Sequence, residues 1–255
     1  SRLRSLSRSY FQTLEKYSKA RSEEDRLERQ RVILPQVVDL LGYEWQPSWR
    51  TVGQADARAA DTLRLPLVGE VNRASGAPAL WILESLPAAD DPLIDPLTLG
   101  VAPIQYERDP ANEDPQLQAP LPDKDLPWDE IITKHIFRLE EPPRWILLAS
   151  LSQICLIDRT KWPDKRYLSF DLGEIFSRRE DKVLKSTVAL LHRDNVTPVD
   201  GIALLDTLDE NSHRHAFSVS EDLKHAVREC VELLGNEAVW YLREKRKEAV
   251  FSNPD

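Results

Sequence analysis

The chain has 255 residues, 41% of them hydrophobic and 30% charged, with a formal net charge of −9. That balance suits a folded globular protein with room for one large domain or two small ones, and the absence of any apolar run near 18 residues excludes a helical membrane span. The two cysteines, Cys155 and Cys230, lie far apart in apolar surroundings, which argues against a disulfide scaffold or a cysteine metal site and for a reducing cytoplasm.

The basic N-terminus has no apolar core and so does not read as a secretory signal. A serine start and the lack of methionine read as a segment of a longer protein. Residues 3–32 are predicted to form a long charged helix, because Leu3, Leu6, Tyr10, Leu14 and Tyr17 recur at spacings of three and four. Helical text continues to about residue 41, with Pro35 as an interruption and Gly42 as a stop. "TLRLPLVG" (62–69) alternates as a half-buried strand, "NRASGAP" (72–78) is turn chemistry, and "ALWILESL" (79–86) is an apolar strand.

Residues 87–130 hold nine of the eighteen prolines and eleven acids against Arg108 and Lys124, so this segment carries the entire net charge and the remainder sums to zero. A long surface loop without regular pairing is expected there. It could mimic DNA against a basic face, or be a solvated insertion.

Order resumes with a helix at 127–139, opened by Pro127. "RWILLASL" and "QICLIDRT" read as two strands of a hairpin joined at Ser150–Gln153, and "KRYLSFDL" as a third. Two helices follow, then a turn-rich stretch (194–219) and a last long helix capped by Ser220. "HRH" (213–215) in that polar stretch reads as solvated loop rather than a metal site.

The order implies an α+β fold: a mixed sheet of about five strands flanked by helices, with long N- and C-terminal helices. The expected organisation is a helical segment 1–45, a core 46–195 carrying the acidic proline-rich loop 87–126, and a helical segment 196–255 leading to further domains. No phosphate-binding glycine loop, serine nucleophile elbow, Cys-x-x-Cys or adenosylmethionine-binding glycine motif occurs in the chain.

Two groups of residues carry candidate chemistry. The first is the hairpin, where Glu70 ends one strand and Glu84 sits on the next. Paired carboxylates can hold magnesium through oxygen, and a strand lysine two residues on would share the glutamate's face and help activate water. Leu86 occupies that position, so Glu70 and Glu84 are read as vestigial nuclease positions, with magnesium relevant only to an active form. The second is 144–193, which holds ten Lys/Arg against six acids. Arg144, Arg159, Lys161, Lys165, Arg166, Arg178 and Arg179, with Trp162 among them, are candidate DNA contacts, since basic loops bind phosphate without sequence preference. Local pairing of those charges, with Trp162 in the core, is the alternative reading.

The same stretch resembles the N-terminal part of type IIG restriction-modification proteins and the related adenine-specific DNA methyltransferases of phage defence. The resemblance rests on Arg144-Trp145, Leu156-Ile157-Asp158-Arg159, Lys161-Trp162, Lys165-Arg166-Tyr167-Leu168, Phe170-Asp171-Leu172, Arg178-Arg179-Glu180 and Leu190-Leu191-His192-Arg193, together with the hairpin. It covers roughly residues 32–255. It implies a restriction-endonuclease-like fold with no cofactor of its own, and S-adenosylmethionine bound by a parent protein's later domains. It also implies DNA and other defence subunits as partners. The function expected is DNA contact and assembly by a cleavage-inactive domain. The alternatives are an active magnesium-dependent endonuclease, and a protein-interaction module built on helices 3–32 and 220–250.

Overall fold

A computed structural model of the chain describes residues 2–53, 62–88, 94–103, 119–178 and 180–245. It forms two units, residues 1–203 and 204–255.

The first unit opens with a helical hairpin, α1 (Arg2–Ser18) and α2 (Glu23–Leu40). The predicted single helix breaks because Ser22 turns extended and its hydroxyl accepts the Asp25 N–H at 3.1 Å, with three acids completing the first turn. Pro35 does not interrupt α2. It removes one donor, while Ile33, Leu34, Val37 and Val38 are all buried and hold the helix through it. Gly42 ends α2 as expected. It sits at φ 82°, its N–H donates to Asp39 O at 3.0 Å, and the Tyr43 N–H reaches Val38 O at 3.1 Å.

The strand text 62–69 divides at Val68. Its first part, β2 (Leu63–Leu67), pairs antiparallel with β1 (Ser48–Val52) in a two-stranded sheet. The remainder joins β3 (Gly69–Asn72), which forms a hairpin with β4 (Pro78–Glu84). The main sheet then runs β3-β4-β5-β6-β7, with β5 (Trp145–Ala149), β6 (Gln153–Asp158) and β7 (Leu168–Asp171). Only the β4–β5 pair is parallel, so the chain crosses over between them. That crossover carries α3 (Trp128–Ile131), extended by a π turn over Ile132–Ile136. The result is an α+β fold around a five-stranded mixed sheet.

One sheet face presents Trp81, Leu83, Ile146, Leu148, Cys155 and Ile157 to the crossover helix and to β1–β2. The other face presents Leu80, Ile82, Leu147 and Leu156 toward the N-terminal helices and α4 (Leu172–Arg178). Tyr10 packs on Phe176 at 4.9 Å between ring centroids, and the Ser7 hydroxyl donates to Phe176 O at 3.2 Å. The N-terminal helices therefore share one unit with the sheet.

The acidic segment is more ordered than its composition suggests. Val101 bridges to Ser85, Leu86 N–H donates to Gly100 O at 2.9 Å, and Trp128 N–H donates to Leu99 O at 3.0 Å. Residues 89–93 and 104–118 of that segment lie outside the described residues.

After α5 (Asp181–Leu191) and α6 (Arg193–Val196), the described residues of the second unit form one long helix, α7 (Leu204–Trp240), continued by a π turn to Lys245. It begins at Leu204, not at Ser220, so the expected turn-rich stretch is largely helix and His213 and His215 are exposed helix residues. Among the described residues no helix is long and apolar enough to cross a membrane.

Candidate functional site

Glu84 ends β4 on the face covered by α2, and only 2% of it is exposed. Arg31 meets it with Nε at 2.9 Å and Nη2 at 2.8 Å from Oε2. Gln30 Nε2 donates to Oε1 at 3.0 Å and also to Ser85 O, while Gln30 Oε1 accepts the Leu151 N–H at 3.1 Å. Burial pushes the Glu84 carboxyl above its ordinary range; Arg31 and the Gln30 hydrogen bond pull the other way without cancelling it. The carboxylate is thus held by two adjacent residues of one helix. That is a structural use of a buried acid: partners satisfy it and tie α2 to the sheet.

Glu70 stands elsewhere. In the β3–β4 ladder it lies opposite Trp81. Directly opposed residues share a face, so Glu70 is on the Trp81 side and Glu84, three residues along β4, is on the other. Glu70 pairs with Arg50 of β1 and lines a polar cleft of about 230 Å³ with Tyr43, Glu44, Gln46, Ser48, Asn72 and Arg193. The expected vestigial pair is corrected on this point. The two carboxylates project from opposite faces and each is ion-paired, so they do not fit a shared magnesium ion. Leu86 lies past the end of β4 and is buried. Neither Arg31 nor Arg50 was foreseen. Arg31 lies 53 residues from Glu84 and Arg50 20 from Glu70, so no local spacing reveals them.

The basic candidates converge better. Arg159, Lys161, Trp162, Lys165 and Arg166 all belong to the β6–β7 connection, and Arg144 adjoins it where β5 begins, its carbonyl accepting the Arg159 N–H at 3.0 Å. The connection is tightly wound. Asp158 Oδ1 accepts the Thr160 N–H at 2.8 Å, the Lys165 N–H closes on Trp162 O at 2.8 Å, and Lys165 sits in the left-handed region at φ 54°. Trp162 anchors the turn from within. It is 4% exposed, belongs to the core under α3, and donates from Nε1 to Thr133 Oγ1 at 3.0 Å. Its indole is therefore a core group, not a surface on which a base could stack.

The surrounding charges are partly matched. Arg144 lies over the Trp145 ring at 4.7 Å and pairs with Asp158 at 3.4 Å. Lys165 pairs with Asp129 and lies 4.3 Å over the Trp162 ring. Arg166 pairs with Asp164 at 3.5 Å with both side chains well exposed, and Arg159 is exposed. Asp129, Asp158 and Asp164 thus lie among the cations, and Arg159, Lys165 and Arg166 remain exposed. Arg178 belongs to α4, which starts at the other end of β7 beside Ser152, and it pairs with Glu174 at 3.1 Å. Arg179 lies outside the described residues.

Besides Asp129, the acidic segment reaches this end of the sheet through Asp95. Tyr167 donates to Asp95 Oδ2 at 2.6 Å, while Asp95 Oδ1 accepts the Leu97 N–H at 3.0 Å. Burial and the Asp95 carboxylate raise the Tyr167 phenol well above its ordinary value. Burial likewise pushes the Cys155 thiol up to about 12, so it is an inert core group.

Comparison of the chain with protein families, with curated proteins and with solved structures finds no match.

Proposed function

We propose that this chain is the N-terminal, non-cleaving domain of a bacterial DNA adenine methyltransferase from a restriction-modification or phage-defence system. It contacts DNA through the β6–β7 connection and contributes to assembly; methyl transfer, with S-adenosylmethionine, belongs to later domains. The parent enzyme rests on the sequence resemblance over residues 32–255. The DNA contact rests on one observation: a buried tryptophan fixes a short turn on which Arg159, Lys165 and Arg166 are all exposed. Such a turn suits phosphates, which need charge and fixed register but no base readout. The non-cleaving part is supported by the opposed faces and ion pairing of Glu70 and Glu84.

Titration of labelled duplex DNA at several salt concentrations tests the reading. Binding with a steep salt dependence, weakened by Arg159→Ala with Arg166→Ala, supports it. Absence of binding at low salt refutes the DNA contact. Magnesium-dependent cleavage lost in Glu84→Ala would instead establish the endonuclease.

A further inference from the structure

From Leu223 onward α7 carries a stripe of exposed apolar residues. Leu223, Val227, Cys230, Leu234, Ala238 and Tyr241 follow spacings of three and four, which places them on one side of the helix. Every one is exposed, Leu223 at 63% and Leu234 at 71%. Val231 joins the stripe from the adjacent row. One charged residue, Glu237, borders the stripe beside Cys230 and Leu234, while Arg228, Glu229, Glu232 and Asn236 lie on the other side of the helix.

We infer that this stripe is a self-association surface, on which α7 of a second copy packs antiparallel. Two features favour a second copy. The first is area. At about 100 Å² for each exposed Leu, Val or Tyr, Val231 included, and roughly half that for Cys230 and Ala238, two stripes would bury on the order of 1,200 Å², the size at which specific interfaces begin. The second is fit. A two-fold axis near Glu232 sets Leu234 against the small Cys230, Val227 beside the small Ala238, and Leu223 beside Tyr241. A parallel pair would instead set Ala238 on Ala238, leaving a void, and Tyr241 on Tyr241. The inference does not depend on the DNA reading, although a dimer would bring two basic turns to one duplex and raise apparent affinity.

Sedimentation of the whole chain across a concentration series tests this. A reversible monomer–dimer equilibrium is expected, with Leu234→Glu raising the dimer dissociation constant at least tenfold and Asn236→Glu, on the opposite side of the helix, leaving it unchanged. A monomer at every concentration overturns the inference, and so does a dimer that Leu234→Glu does not weaken. Far-UV circular dichroism of the two variants distinguishes lost pairing from lost helix. Orientation is read by oxidative cross-linking in a Cys230→Ser background. The double variant Leu223→Cys with Tyr241→Cys should form a covalent dimer and Leu223→Cys alone should not. Cross-linking by Leu223→Cys alone overturns the antiparallel arrangement.

Discussion

Arg31 grips Glu84 from a position 53 residues earlier in the chain, with Nε and Nη2 both within 2.9 Å of the same carboxylate oxygen. Arg31 is 27% exposed, while Glu84 is 2% exposed, so the carboxylate has far more to lose if the pair is broken. Arg31→Ala should destabilise the first unit by roughly 3 kcal/mol at pH 7, because it leaves a buried charge unpaired. The pH dependence has a definite sign. The folded carboxyl titrates above its ordinary value, so protonation favours the folded state. That stabilisation is complete below the unfolded pKa of about 4 and is lost as pH rises through the raised folded value. The penalty of Arg31→Ala should therefore shrink as pH falls toward 4. Urea denaturation at pH 4.5 and pH 7.5 reads the difference, and equal penalties at both would contradict the assignment.

Glu84→Gln tests the same site from the other side. It keeps an acceptor for Gln30 and Arg31 and removes the charge whose burial opposes folding. Stability at pH 7.5 should change by less than about 1.5 kcal/mol, and the slope of stability against pH above the ordinary carboxylate range should flatten. Denaturation midpoints across pH 5–8 for variant and parent would show it.

Trp162 separates core from contact. Trp162→Ala should cost roughly 3–5 kcal/mol, since it empties a buried aromatic site under α3. Trp162→Phe keeps most of the packing and loses the hydrogen bond to Thr133, a cost of about 1 kcal/mol. DNA affinity of the folded Phe variant should equal that of the parent. Trp162→Leu, which has no aromatic face, should also bind as the parent does when folded, and a loss there of the 1–3 kcal/mol that stacked bases contribute would show the indole to be a contact after all.

The sheet was legible where apolar runs were unbroken. β5 and β6 are fully or almost fully buried strands, and Ser150 closes their hairpin on Gln153 O at 2.9 Å, so the pattern spoke without tertiary context. β1 did not speak. "SWRTV" has two exposed positions and one fully buried one, and it becomes a strand by pairing with β2. The start of α7 was hidden for a related reason: a helix with no core side over Asp209–His215 has no apolar period to read. The Glu70–Glu84 pair failed on parity. Which face a strand residue takes depends on register, and the break at Val68 with Glu70 opposite Trp81 settles it against the pair. The basic turn was visible as composition, while the burial of Trp162 depended on α3, which reaches it from a distant part of the sequence.

Gly100 tests whether the acidic segment is packed or merely adjacent. A Cβ there would come within 2.1 Å of Lys124 O and 3.1 Å of a Leu86 methyl. Backbone must move, so Gly100→Ala should cost roughly 1–3 kcal/mol. Gly76, at φ 86° in the β3–β4 turn with nothing within 4 Å of its would-be Cβ, should lose only about 1 kcal/mol from left-handed strain in Gly76→Ala. Comparing the two melting curves isolates the crowding. A silent Gly100→Ala would mean that residues 99–101 leave the β4 end readily.

The basic turn makes a prediction that depends on place rather than charge count. Arg159 and Arg166 sit on the β6–β7 connection, and Arg178 sits on a helix that starts at the other end of β7. All three carry the same charge, so a protein binding DNA by diffuse attraction would lose similar affinity from each. Binding through the turn would not. Each of Arg159→Ala and Arg166→Ala should lower the slope of log affinity against log salt by about 1, the signature of one phosphate contact. Arg178→Ala should leave that slope unchanged, its Glu174 partner being four residues away on the same helix. Arg166 also offers an internal check. Its pair with Asp164 is exposed and weak, so Asp164→Asn should release the guanidinium and strengthen binding slightly at low salt. Equal slope losses at Arg159, Arg166 and Arg178 would place the DNA on no particular surface of the fold and remove the turn from its role.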